Sequence, residues 1–442
     1  MDTPIRDMLL AYAERDPLRL HMPGHKGAES RFDITEVEGA DSLFSPTGVI
    51  KRSEENAGRL FGAKTYYSTE GSSLSIRAML YLATLYAKKE GKAPLVLAAR
   101  NVHRSFVSAM ALIDFDVEWL YSRESDSYLS CRISAEDVEA RFKRGDRLPS
   151  AVYLTSPDYL GQMQDIGAIA KVCKKYGALL LVDNAHGAYL KLLPESKHPI
   201  DLGADMCCDS AHKTLPALTG SAYLHISHAA PSLLSTWAKD AMALFGSTSP
   251  SYLILDSLDR LNKTISDGFS RDLSIFVDKI PAFIKSIEAL GYENISEEPL
   301  KITLKTKQYG YFGYELAKEL EHAGVVCEFY DSDFLVMMLS PYFDDSVLLR
   351  IYSALASIKR REAIKGEPPV FTKARRAISA REAMSLPRII LPVDECVGRV
   401  LADVTVGCPP AVPIVVSGET VDESAIEAAH YYGINEFSVI DQ

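Results

Sequence analysis

Between about residues 64 and 230 the chain alternates short apolar runs with amphipathic stretches. "PLVLAA" (94–99), "AVYLTS" (151–156), "ALLLVD" (178–183), "DMCCDS" (205–210) and "SAYLHI" (221–226) are short and largely apolar. Runs of this kind fit strands buried on both faces of a sheet. "SLSIRAMLYLATLYAKKEG" (73–91), "SAEDVEARFKRG" (134–145) and "DIGAIAKVCKKYG" (165–177) lie between several of them with helical spacing, and they close on glycine after basic residues. The alternation predicts an α/β fold: a mainly parallel central sheet with helices on both faces.

A long helical pattern follows over 252–291. Then come "LKITLKTK", "GYELAKELEHAG" and "VCEFYDSDFLVMML", read as strand, helix and strand of a smaller C-terminal α/β domain. The tail after residue 366 is richer in proline and reads as irregular segments and short strands on that domain. The expected division is an N-terminal segment 1–50, a large domain 51–275 and a small domain 276–442. A chain of 442 residues with 47% apolar residues has enough core for more than one domain.

A formal charge of −11 without a long basic tract argues against nucleic acid and anionic membrane as partners. The N-terminus lacks the apolar core of a signal peptide, and runs such as "ALLLV" are too short to span a bilayer. Seven cysteines at scattered positions (131, 173, 207, 208, 327, 396, 408) indicate reduced thiols and a cytoplasmic location. Adjacent Cys207 and Cys208 read as buried strand thiols rather than as a metal or redox pair. His21 and His25 mimic a metal pair, but "PGHKG" is a loop signal with no third ligand, so no metal is expected.

In open α/β sheets, ligands gather beyond the carboxyl ends of the strands. Here "ALLLV" ends in Asp183-Asn184-Ala185-His186, "DMCCD" in Ser210-Ala211-His212-Lys213, "AVYLT" in Ser156-Pro157-Asp158, and "LVLAA" in Arg100-Asn101-Val102-His103. Glu70-Gly71-Ser72-Ser73 opens an amphipathic helix, where unpaired backbone N–H groups and the helix dipole favour an anion. Taken singly, each has an ordinary reading: a cap, a structural histidine, a strand-end turn. Together they suit pyridoxal phosphate, which needs a lysine for its Schiff base, a carboxylate on the pyridine nitrogen, a phosphate cradle and flat partners on the ring. Lys213, Asp183, then Ser72, Ser73, Ser210 and His212, and His103 with Ala185 can fill these roles.

With these residues in place, the chain resembles the major Orn/Lys/Arg decarboxylase family. "LHMPGHKG" (20–27), "DSLFSPTGVI" (41–50), "LFGAKTYYSTEGSS" (60–73), "NVHRSF" (101–106), "TSPDYLGQMQDI" (155–166), "LLVDNAHGAYL" (180–190), "DSAHKTLPALTGSAYLHI" (209–226), "STSPSYLILDSLD" (247–259) and the tail from "LPVDECVGRVL" carry the likeness. It implies the aspartate-aminotransferase-like fold (fold type I), pyridoxal 5'-phosphate as cofactor, and α-decarboxylation of arginine, lysine or ornithine for polyamine synthesis. It implies Lys213 on the cofactor aldehyde, Asp183 on the pyridine nitrogen and His103 stacked on the ring. Ser72, Ser73, Ser210 and His212 take the phosphate, with backbone from Gly71, and His186 lies near the ring. Lys213 or His212 returns a proton to Cα. Thr248 or Ser249 reaches the phosphate of a neighbouring subunit, because the family's sites form at a homodimer interface to which the N-terminal segment contributes. The chain looks like the short form, without an N-terminal wing domain.

Glu70, Asp158 and Asp209 stand where relatives commonly carry other residues, placing three extra carboxylates near the expected site. A buried substrate cation needs a partner. Glu70, Asp158, Asp331, Asp333 and Glu395 are the candidates. An aminotransferase or a Cβ/Cγ lyase on the same fold is the alternative reaction, and a non-catalytic binding relative the alternative role. His103 as the ring's partner favours the decarboxylase, and the intact Lys213 and Asp183 argue against loss of catalysis.

Overall fold

The computed structural model describes residues 1–122, 127–369, 372–403 and 411–441; Cys408 and the start of "CPPAVP" lie outside the described residues. The chain divides into two compact units. One comprises Met1–Val96, Val138–Leu154 and Asp165–Arg271, the other Leu97–Asp137, Thr155–Gln164 and Asp272–Gln442.

A seven-stranded sheet is mostly parallel and is built from β1 (Lys64–Ser68), β2 (Leu95–Ala99), β3 (Asp116–Leu120), β4 (Ala151–Thr155), β5 (Leu179–Asp183), β6 (Met206–Asp209) and β7 (Ala222–Ile226). In the first unit the order is β1-β7-β6-β5-β4. The helices of this part of the chain are α1 (Pro4–Glu14), α2 (Val49–Phe61), α3 (Gly71–Lys89), α4 (Arg104–Ile113), α5 (Ala135–Lys143), α6 (Ile166–Tyr176) and the short α7 (Ala211–Thr214). Every residue of β5 and β7 is buried, which explains their unbroken apolar character. β5 and β6 are parallel, whereas β7 is antiparallel to both β6 and β1. The β6–β7 link holds only α7, too short to carry the chain across the sheet, so the strand returns alongside its predecessor. The expected strands fall within a residue of these positions. β1 and β3, the two ends of the strand order, escape the pattern because their mixed or partial burial leaves polar residues in them.

The long helical pattern is broken. Helices span Tyr252–Thr264, Ser270–Val277 and Ile280–Ala289, and Gly268 takes φ 125° between the first two, which any side chain would resist.

The second unit carries a four-stranded sheet, order β10-β11-β9-β8, from β8 (Glu293–Asn294), β9 (Lys301–Lys305), β10 (Phe329–Tyr330) and β11 (Phe334–Met338), all pairs antiparallel. A two-stranded ribbon pairs β12 (Arg388–Pro392) with β13 (Glu436–Ile440). "VCEFYDSDFLVMML" is thus a hairpin rather than one strand. The Asp331 carboxylate accepts the backbone N–H groups of Asp333 and Phe334, both at 2.7 Å, and turns the chain between β10 and β11. Tyr128, Leu160, Phe334, Val336, Leu401 and Phe437 share a core, so the tail packs as an integral part of this unit. Arg100 is buried; its guanidinium donates to the carbonyls of Pro413 (2.9 Å) and Ile414 (2.8 Å) and pairs with buried Glu419 at 3.3 Å. No helix among the described residues is long and apolar enough to cross a membrane.

Candidate active site

Because β5 and β6 are parallel neighbours, their carboxyl ends open on one side of the sheet. β5 delivers Asp183, Asn184, Ala185 and His186; β6 delivers Ser210, and α7 adds His212 and Lys213. Asp183 is only 2% exposed. Its Oδ1 accepts the Ala185 N–H at 3.1 Å and faces Cys208 Sγ at 3.6 Å; its Oδ2 accepts the Tyr153 hydroxyl at 3.3 Å. Burial pushes the Asp183 carboxyl above the usual range, and the positive charge of Lys213 and these donors oppose that rise. A cation placed against Asp183 would therefore be bound by a carboxylate short of countercharge.

Lys213 is exposed, and its Nζ lies 3.1 Å from Nε2 of buried His186. The pair can pass a proton between amine and imidazole. His212 is held by its own ends: its N–H bonds to the Ser221 carbonyl at 3.3 Å, and Nδ1 lies 2.9 Å from the same oxygen, so Nδ1 carries the hydrogen. Burial lowers its pKa, and Lys213 lowers it further. Nε2 is then the basic nitrogen of a neutral ring, suited to moving a proton; a phosphate dianion opposite it would draw a proton on.

Gly71 begins the 19-residue α3 with φ 67°, and its N–H bonds to the Gly220 carbonyl at 2.8 Å. Nothing stands within 4 Å of where a Cβ would be, so open space meets the helix start beside half-buried Ser72 and Ser73. Glu70 accepts the Ser247 N–H at 2.6 Å, tying exposed Thr248 and Ser249 to this end of α3. His103 belongs to the second unit. It caps α4, its Nδ1 accepting the Ser105 N–H at 3.2 Å, which leaves the ring hydrogen on Nε2.

Most of the carboxylates that the sequence singles out have other duties. Asp209 is fully buried, bonded to His198 (3.0 Å), His225 (3.2 Å) and Asn184 (2.6 Å). Asp333 pairs with Lys307 at 2.6 Å and accepts the Tyr431 hydroxyl. Asp331 forms the hairpin turn, and burial pushes its carboxyl to about 6. Asp158 holds a turn by accepting the N–H groups of Leu160 (3.0 Å) and Gln162 (2.9 Å), and burial pushes it to about 6 against the pull of its donors and Lys301. Glu70 and Glu395 are exposed. Of Asp331, Asp333 and Glu395, the first two are engaged locally and Glu395 is exposed.

Two consequences can be measured. With its folded pKa near 6 and an unfolded value near 3.8, the stability that protonated Asp158 contributes is complete below the unfolded value. It is lost as pH rises through about 6. Asp158→Asn, which keeps an acceptor for both turn N–H groups, should flatten the fall in melting temperature over that window. At Gly187, an added Cβ would lie 2.0 Å from Asn184 Oδ1 and 2.8 Å from Leu190 Cδ1. Gly187→Ala should cost about 1–3 kcal/mol in chemical denaturation, since the neighbours must move.

Tyr153 is the residue that sequence reasoning missed. A tyrosine inside a buried strand needs a partner for its hydroxyl, and that was the available signal; the partner is Asp183.

The profile described as "Orn/Lys/Arg decarboxylase, major domain" matches residues 3–285. An arginine decarboxylase of Halalkalibacterium halodurans is 28% identical, the match covering 96% of this chain and 91% of that protein. An arginine decarboxylase of Bacillus subtilis is 25% identical over 96% and 92%. In structure, the constitutive lysine decarboxylase of E. coli matches with TM-score 0.79 and 17% identity, covering 100% of this chain and 82% of that one. Lysine decarboxylase A of Pseudomonas aeruginosa matches with TM-score 0.81 and 16% identity, over 100% and 80%. At that identity the structural likeness speaks for the fold.

Proposed function

Because the chain belongs to the Orn/Lys/Arg decarboxylase family, we propose that it removes the α-carboxylate of arginine, giving the amine and carbon dioxide. It is a carboxy-lyase of the basic amino acid decarboxylases, and pyridoxal phosphate is its cofactor. The observation that carries the site assignment is the exposed Lys213 amine joined to His186, with buried Asp183 beside them at the mouth of β5 and β6. Arginine is preferred because full-length relatives at 25–28% identity are named for it.

The residues fit the cofactor. The open space at Gly71, at the start of α3, suits a phosphate, with Ser72, Ser73 and Ser210 as hydroxyl donors. Lys213 offers the amine and Asp183 the buried carboxylate. Bound there, pyridoxal phosphate supplies an electron-poor ring that accepts the electron pair left when the carboxylate departs as carbon dioxide. Asp183, held by Ala185, Tyr153 and Cys208, keeps a proton on the ring nitrogen. His186 takes a proton from Lys213 and leaves the amine nucleophilic. His103 would be the residue that stacks on the ring. Lys213 or His212 then delivers one proton to Cα, which balances the loss of carbon dioxide. Thr248 or Ser249 completes the phosphate site of a partner subunit.

We place the enzyme in the cytoplasm as a homodimer, or a dimer of dimers, feeding polyamine synthesis. Unpaired thiols at Cys131, Cys173, Cys207, Cys208, Cys327 and Cys396 support the compartment. The exposed apolar Leu18, Leu20 and Met22 support burial of the N-terminal segment by a partner.

The test is carbon dioxide release and amine identification with arginine, lysine and ornithine offered separately. Turnover of arginine above the other two supports the assignment. Preference for lysine or ornithine moves the substrate within the family, and turnover of none of them removes the basic-amino-acid reading.

A further inference from the structure

Behind β6, on the face opposite Cys208 and Asp183, a second set of reactive side chains converges. Strand alternation puts Cys207 and Asp209 on that face, and the antiparallel register sets His225 opposite Cys207. β1 adds Thr65 opposite His225. His198, from the segment leading into β6, closes the group. Cys207, Asp209, His198 and His225 are all fully buried.

Three of the donor atoms are spaced as ligands of one ion. One ligand atom each from His198, Cys207 and Asp209 lies within 4.8 Å of the others. His198 Nε2 is 3.0 Å from Asp209 Oδ2 and 3.9 Å from Cys207 Sγ, and His225 Nε2 reaches the same Asp209 oxygen at 3.2 Å. Ligands about 2.0–2.3 Å from a tetrahedral zinc ion stand about 3.2–3.8 Å apart along its edges. We propose that His198, Cys207 and Asp209 form a structural site for a tetrahedral divalent cation of the zinc type, separate from the catalytic site, with the neighbouring His225 ring drawn in as the fourth ligand.

The surroundings suit that ion. Thr65 Oγ1 lies 2.9 Å from His225 Nδ1, so it can accept the Nδ1 hydrogen and turn the Nε2 lone pair inward. The other oxygen of Asp209 is held by the Asn184 amide at 2.6 Å. The Phe61 ring lies over His225, centroids 4.5 Å apart, and shields the group. Charge balances: Cys207 gives up its thiol proton on binding, and thiolate plus carboxylate neutralise the divalent ion. Four protein ligands leave no open position, so the ion would pin β6, β7 and the His198 segment rather than react. Asn184 follows Asp183 directly and Ser210 follows Asp209, so the ion would also stiffen the strand ends that carry the catalytic residues.

The experiment is the metal content of the purified full-length protein, produced with zinc in the medium and dialysed against buffer without metal. Near-stoichiometric zinc is expected, falling at least tenfold in Cys207→Ser and in Asp209→Asn. The amide oxygen that Asp209→Asn introduces can still accept the His198 N–H when no metal is bound, so this second variant keeps that bond and removes the charge. Protein produced with cobalt should show the intense ligand-field bands of a tetrahedral site, to the red of cofactor absorption. Background metal in the wild-type protein overturns the site, and so does stoichiometric metal that both variants retain. The wild-type measurement stands whether or not a variant folds.

Discussion

Lys213→Ala should abolish turnover, with kcat falling about 10³-fold or more, and should remove the visible band of the lysine-bound cofactor. In the proposed mechanism the amine has two jobs: it holds the cofactor through its aldehyde, and it moves protons with His186, 3.1 Å away. The residues directly after β5 (184–187) and β6 (210–214) include no lysine but Lys213. Cofactor should still bind through its phosphate, more weakly, because Gly71–Ser73 and Ser210 are untouched. Equilibrium dialysis separates the two effects. Retained turnover would move the cofactor's attachment elsewhere.

Asp183→Asn should lower kcat about 10²–10³-fold while leaving the fold intact. The amide keeps an oxygen for the Ala185 N–H, so the loss isolates the missing charge. An uncharged partner cannot hold a proton on the ring nitrogen, and the ring then accepts electrons poorly. The absorption spectrum and cofactor affinity should shift with kcat. A variant that keeps kcat but unfolds at lower temperature would reduce Asp183 to a structural residue.

Much of this was legible in sequence, for physical reasons. β5 and β6 are buried along their whole length, so their apolar runs stand out, and "VDNAH" and "DSAHK" mark where those strands leave the core. The edge strands β1 and β3 did not show, since partial burial tolerates polar residues. The hairpin at Asp331 was hidden by apolar residues on both sides of a turn whose signal is one carboxylate. In the site, residue types were readable but their pairings were not. Asp209 looked like an extra charge beside the cofactor; alternation on β6 instead turns it to the opposite face, onto two histidines from distant stretches of chain. Tyr153 lay unnoticed because its partner, Asp183, is thirty residues on in the sequence and adjacent only through the sheet.

The central claim is that the cofactor is carried by Lys213, facing Asp183. Borohydride reduction of the purified enzyme fixes the cofactor to its lysine, and peptide mass analysis then locates it. The account predicts the added mass of the reduced cofactor on the peptide containing Ser210–Lys213 and on no other. The same mass on a different lysine, or no added mass after incubation with pyridoxal phosphate, would contradict it.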